Sequence, residues 1–512
     1  MNALHQRLAA LSPERLLAMR RGVEKESLRA LAGDGLALTP HPAALGKALT
    51  HPNITTDYSE SQLELITGVH ASTEACLEEL TQVHQAVYRA IGEERLWVAS
   101  MPCGLPTDET IPLGRYGASN VGRAKSVYRM GLGLRYGRRM QMISGIHYNW
   151  SMPGLDNAQH FALIRNFRRH AFVLLALFGA SPAVCPGFVA GRQHELLPLP
   201  GTSGGTLHLP HATSLRMGRI GYQSDAQATL AVRYNSLDSY AHSLHEALTQ
   251  PYPLYQSLGI RNPGGDYNQL ATSLLQIENE FYGLIRPKRV IRPGERPLHA
   301  LRERGVEYIE VRCLDLDPFE PVGINAATMR FIDMFLLHCL LADSPPDTPE
   351  EILALGRNQH RAASRGRMPE QLLERGEDVV TLADWAQEVL AQCQPIAERL
   401  DQVQGGAHHR DGLAAAQAAL RASQTLPSAR VLAALQSDFD GSYTDFIHAQ
   451  SERARSLLLG LPYPPTLAQR FAQLAQESVA AQQCIEAADQ RPFEQYREAY
   501  LSPERLTVQP AG

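Results

Sequence analysis

The side chains with the most capacity for chemistry are carboxylates spaced two apart: Glu24 and Glu26, Glu278 and Glu280, and Glu310 beside Arg312. Residues i and i+2 share one face of a strand, so each pair would point to the same side. Like charges that close repel unless a cation or an arginine offsets them. A hard divalent ion, which takes oxygen ligands, would resolve the conflict. The same spacing also fits a solvated sheet face, where an acid–arginine pair contributes little.

The stretch Gln276–Asp317 concentrates this pattern. Gln276, Glu278, Glu280 and Tyr282 share one parity, which predicts a strand with an acidic row. In a second predicted strand Tyr308, Glu310 and Arg312 face one way, and Ile309 and Val311 face a core. Between them Arg286-Pro287-Lys288-Arg289 reads as a basic turn, and Lys288 is one of only four lysines in the chain. Carboxylates on strands beside such a turn suit a metal-bound phosphate.

Other segments add to the set. Ile54–Thr67 supplies Asp57, Glu60 and Glu64 around Tyr58, alternating with Leu63 and Leu65. Met142–Trp150 reads as a strand with His147 and Asn149 on one face, although a lone histidine there also suits a structural role. Arg216, near a glycine-bearing turn, could clamp a carboxylate or lie on the surface. The run 111–136 is dense in glycine, tyrosine and arginine, yet contains neither a P-loop nor a dinucleotide fingerprint.

The elements that must position these groups divide the 512 residues in two. Residues 1–345 predict a catalytic α+β domain. From 346 to 512, Ala-, Leu-, Glu- and Arg-rich helices over 382–400, 413–420, 429–435 and 467–487 are expected to brace it. His408-His409-Arg410 reads as a loop without a carboxylate partner. The net charge of −5 argues against nucleic acid or anionic membrane as partners. Seven scattered cysteines without a CxxC pair suit a reducing compartment, and no apolar run spans a bilayer, so a cytoplasmic protein is expected.

Six separated motifs carry a resemblance. RGVEKESLR (21–29), ITTDYSESQLELIT (54–67), SGIHYNW (144–150), ATSLRMGRIGY (212–222), LQIENEFYGLIRPKR (275–289) and GVEYIEVRCLDLDPFEPVG (305–323) resemble the gamma-proteobacterial glutamate–cysteine ligases. The resemblance implies a curved antiparallel sheet forming a funnel, as in the catalytic domain of glutamine synthetase, with helices outside. It implies ligation of the gamma-carboxylate of L-glutamate to the amine of L-cysteine, with ATP spent through gamma-glutamyl phosphate, as the first step of glutathione synthesis.

By that resemblance Glu24, Glu26, Glu64, His147 and Glu310 are expected to hold two or three Mg²⁺ ions, with Mn²⁺ able to substitute. Glu60, Glu278, Lys288, Arg289 and Arg312 are expected around the nucleotide, and Arg216 on the glutamate. Tyr58, Tyr128, Tyr222, Tyr282 and Asn149 are expected near the amino-acid substrates. Glu310, Arg312 and Arg216 are the expected catalytic set. Product inhibition by glutathione and a monomeric chain are further expectations. Some relatives join the cysteine of the SMPC motif, here Cys103, to a second cysteine after the histidine strand. Residues 154–161 hold none, so a free Cys103 and seven free thiols are expected.

Overall fold

The computed structural model describes residues 3–33, 35–201, 205–221, 225–228, 230–292 and 294–506. Its centre is a seven-stranded antiparallel sheet: β1 (Arg20–Ala30), β2 (Ile54–Thr56), β3 (Gln62–Ile66), β4 (Arg95–Leu96), β5 (Ile146–Ser151), β9 (Ile285–Lys288) and β10 (Tyr308–Leu314). The order is β2-β3-β1-β5-β10-β9, with β4 on the end of β1. A small sheet of β6 (Ala183–Val184), β7 (Leu197–Pro198) and β8 (Leu207–His208) stands apart. The fold is α+β, as expected.

Period-two alternation decides which face is which. Val23, Leu63, Leu65, Ile146, Tyr148, Trp150, Ile309 and Val311 are buried on one face. Helices Asn157–Phe178 and Ala326–Leu341 cover that face. The core continues past residue 345: Trp385, on the Leu382–Gln404 helix, packs its ring 4.7 Å from that of Phe172. Burying rings of this size against the sheet layer ties the C-terminal helices to it. No described helix is long and apolar enough to cross a membrane.

Three local expectations change. Gln276–Tyr282 is not a strand; it is irregular around a 3-10 turn at Glu278–Glu280. Glu280 pairs with Arg135 at 2.8 Å and accepts from the Tyr136 hydroxyl, and Glu278 pairs with Arg296 at 2.7 Å. The acids of one parity are thus held by separate arginines and form no ladder. Arg286–Lys288, in turn, belongs to edge strand β9, paired with β10. His408-His409-Arg410 opens the helix His408–Arg421, and Asp401 accepts from the amides of His409 and Arg410. That carboxylate caps the helix start, eight residues upstream in sequence.

The run 111–136 contributes the helix Asn120–Tyr136, with Ser119 as its N-cap. Gly131 and Gly133 leave room for the Gln276 amide and the Tyr58 hydroxyl, where a Cβ would approach to 2.3 and 2.5 Å. Cys103 is not free: it is disulfide-bonded to Cys185, with Cα atoms 5.5 Å apart. The partner lies beyond the Asn157–Phe178 helix, outside the segment in which the sequence reading sought it.

Candidate active site

The face of the sheet opposite the core opens into a cavity of about 390 Å³. Register brings the acids together from distant strands. Glu24 lies opposite His147, Glu26 opposite Glu64, and Glu310 opposite both Asn149 and Arg286. His147 Nδ1 stands 3.3 Å from Glu24 Oε2, and His147 Nε2 3.6 Å from Glu26 Oε1. Asn149 donates to Glu24 at 2.8 Å, and the Gly145 amide to Glu26 at 2.7 Å. One ligand atom each from Glu24, Glu64 and His147 lie within 4.8 Å of one another.

Charge divides this floor into two halves. On the β9–β10 side, Glu310 meets Lys288 Nζ and Arg312 Nη1 at 3.1 Å each, and Arg286 Nη1 at 3.6 Å. Burial would raise the Glu310 carboxyl, but these three cations hold it well below the usual carboxylate range. On the β1–β3 side, burial and Asp57 push Glu26 up to about 8. Burial and Glu24 push Glu64 well above its ordinary value. Burial and Arg312 lower His147, which keeps its imidazole neutral and able to coordinate.

Acids that burial and one another's charge keep protonated, beside a neutral histidine, fit a divalent cation, which would offset their mutual repulsion. Glu24, Glu64 and His147 would hold it, with Glu26 and Glu310 adjacent.

Other expected residues reach the same cavity. Tyr58, Tyr128, Tyr282 and Arg216 line it. Arg216 is buried, donating to the Arg312 carbonyl at 2.9 Å. Tyr282 Oη accepts from Gln141 at 2.9 Å. The Tyr58 hydroxyl has no hydrogen-bond partner among the described residues. Tyr222 lies outside the described residues.

Three residues are placed elsewhere. Glu60 accepts from the amides of Arg115 and His41 at 2.6 and 2.7 Å, fastening two loops. Glu278 and Arg289 border a neighbouring cavity of about 300 Å³, lined also by Leu244, Ile291 and Leu298. Arg289 donates to the carbonyl of Arg304 at 2.5 Å.

The sequence reading missed Lys125 and Arg129, which the Asn120–Tyr136 helix carries to the rim, and Tyr496 and Tyr500 from the helix Phe493–Leu501. Spacing of i, i+4 in both pairs puts each on one helical face, a signal available in the sequence. The Tyr496 and Tyr500 rings stack 5.8 Å apart, and Arg296 lies 5.0 Å from the Tyr500 ring.

Comparison with known proteins sets these features in a family. The glutamate–cysteine ligase family model matches residues 6–362. A glutamate–cysteine ligase of Alcanivorax borkumensis is 46% identical over 98% of this chain and 100% of its own length. One from Pseudomonas putida is 46% identical over 94% of both chains. The crystal structure of a Francisella tularensis glutamate–cysteine ligase in complex with AMP superposes with a TM-score of 0.90. It is 33% identical and covers 95% of this chain and 98% of that one. Matched along almost its whole length in sequence and in backbone, the chain belongs to the glutamate–cysteine ligase family of enzymes.

Proposed function

We propose that this enzyme joins the gamma-carboxylate of L-glutamate to the amine of L-cysteine, spending ATP, and so supplies the first intermediate of glutathione synthesis. The observation that carries this reading is the split floor, where the Glu24–Glu64–His147 cluster lies beside a carboxylate held by Lys288, Arg286 and Arg312. The AMP-bound Francisella relative supports a nucleotide in this fold.

A free carboxylate is a poor acyl donor, because its oxygen is a poor leaving group. In the first step a gamma-carboxylate oxygen attacks the terminal phosphorus of ATP, and ADP departs with the electron pair of the broken P–O bond. In the second, the cysteine nitrogen attacks the gamma-carbonyl carbon. Phosphate leaves with the C–O electron pair, and the amine loses a proton to a base. Divalent ions, two or three Mg²⁺ by family resemblance, would neutralise charge on the phosphate oxygens when bound by Glu24, Glu26, Glu64, His147 and Glu310.

The chain's own groups do the rest. Arg312 and Lys288 offer charge-assisted contacts to phosphoryl oxygens, and Arg216 to a carboxylate of glutamate. Tyr58, Tyr128 and Tyr282 form a wall for the amino-acid acceptor, excluding water that would hydrolyse the acyl phosphate. The smaller neighbouring cavity, apolar on one wall and bordered by Lys288 and Arg289, suits the nucleoside end of ATP.

Coupled measurement of ADP release with ATP and glutamate, with and without cysteine, tests the reading. Cysteine-dependent release with formation of gamma-glutamylcysteine is expected. Release that depends instead on another amine would replace cysteine as the acceptor.

A further inference from the structure

Behind the sheet, in the helical layer, stands a second group of ligating side chains that the reaction does not use. His170 comes from the Asn157–Phe178 helix, and His338 and Cys339 come from Ala326–Leu341. One ligand atom from each lies within 4.8 Å of the others. The two imidazole centroids are 5.4 Å apart, and Trp385 closes the side at 6.0 Å from His170. His338 and Cys339 are fully buried.

The hydrogen bonding leaves specific atoms unused. His338 Nε2 is 2.8 Å from the Gln392 side-chain oxygen, an acceptor, so that nitrogen carries the proton and Nδ1 keeps a bare lone pair. His338 Nδ1 and His170 Nδ1 are both shut off from solvent without a hydrogen-bond partner among the described residues. Burying a polar atom without a partner is costly, so each of these nitrogens is placed to accept one. Metal-bound histidines characteristically have the other ring nitrogen fixed by an acceptor, the position Gln392 takes here. Cys393, also buried and free, lies close enough to Cys339 for the two thiols to interact electrostatically.

We propose that His170, His338 and Cys339 form a buried structural site for a borderline-soft divalent metal such as Zn²⁺, with Gln392 orienting His338. Two imidazoles and a thiolate suit that ion better than Mg²⁺, which prefers oxygen. Ligand atoms around a tetrahedral Zn²⁺ stand roughly 3.3–3.8 Å apart given bonds of about 2.0–2.3 Å. Small rotamer changes therefore close the triad. On coordination the Cys339 sulfur gives up its proton to solvent and the metal–sulfur bond forms, with no change of oxidation state.

Cobalt titration of the full chain, treated with chelator and with the Cys103–Cys185 bridge left intact, tests this. Bound Co²⁺ is expected to give a thiolate-to-metal charge-transfer band in the near ultraviolet and tetrahedral d–d bands in the visible, at one equivalent. Carboxylate sites produce no thiolate band, so Glu64→Gln should leave it intact. Cys339→Ala and His338→Gln should abolish it, and Gln392→Leu should weaken binding about ten- to a hundredfold. His170→Gln, at the half-buried end, serves if a deeper variant fails to fold as judged by circular dichroism. No band in the folded parent chain, or a band that survives His170→Gln, would overturn the proposal.

Discussion

Glu26 and Glu64 face each other directly across β1 and β3, and both carboxyls are pushed up, Glu26 to about 8. In metal-free protein the folded chain therefore binds a proton that the unfolded chain has released between the ordinary 4.5 and about 8. Stability should fall as pH rises through that window, because the folded state binds more protons there. Glu26→Gln should remove the Glu26 share of this loss, stabilising chelator-treated protein at pH 8 by on the order of 2–4 kcal/mol while lowering activity. Denaturant melts from pH 5 to 8 read both effects. A pH-independent midpoint in the parent would contradict them.

Glu310 behaves oppositely, since its three cationic neighbours keep it ionised well into acid. Glu310→Gln should preserve the circular dichroism spectrum and lower kcat about a hundredfold or more, the scale of one strong transition-state contact. Activity within a few-fold of the parent would remove Glu310 from the reacting site.

The Cys103–Cys185 bridge closes a long loop, with a sequence separation of 82. Thiol labelling of denatured, unreduced protein should find five reactive cysteines of the seven. Reduction, or the double change Cys103→Ser/Cys185→Ser, should cost about 2–4 kcal/mol of stability through greater freedom of the unfolded chain. Seven labelled thiols would mean that the bridge does not form.

Arg296 and Glu278 make a buried pair at 2.7 Å beneath Tyr500. Arg296→Met should destabilise by about 3–5 kcal/mol, because it strands a buried carboxylate. Adding Glu278→Leu should recover most of that loss, which thermal melts of the three variants would show. An Arg296→Met protein as stable as its parent would mean that Glu278 finds water.

Strands β1, β5 and β10 were legible because each sets an apolar row against a polar one, and the apolar rows had to be buried together. Alternation then placed Glu24, Glu26, His147 and Glu310 on the opposite face without further information. The same alternation misled at Gln276–Tyr282. There the acids are fixed by Arg296 and by Arg135, 18 and 145 residues away, and a local pattern carries no trace of such partners. Cys185 was hidden for a related reason, and the spacing of Tyr496 and Tyr500 showed a shared helical face but not its destination: long returns of the chain bring them to their places, and no spacing near Cys103 or Glu310 encodes those returns.

Strand β9 ends the sheet, and its backbone orientation gives Pro287 a particular meaning. Leu284 and Lys288 turn their carbonyls inward, accepting from Arg312 and Glu307 at 2.8 and 2.9 Å. Pro287, of opposite parity, turns its nitrogen outward, where it has no hydrogen to offer. Pro287 is buried, so the missing hydrogen leaves no backbone donor without a partner where the sheet stops. Tyr240, Leu244, Leu298 and Leu301 line the smaller cavity together with Pro287, so the sheet can end against helices at no cost in unsatisfied amides.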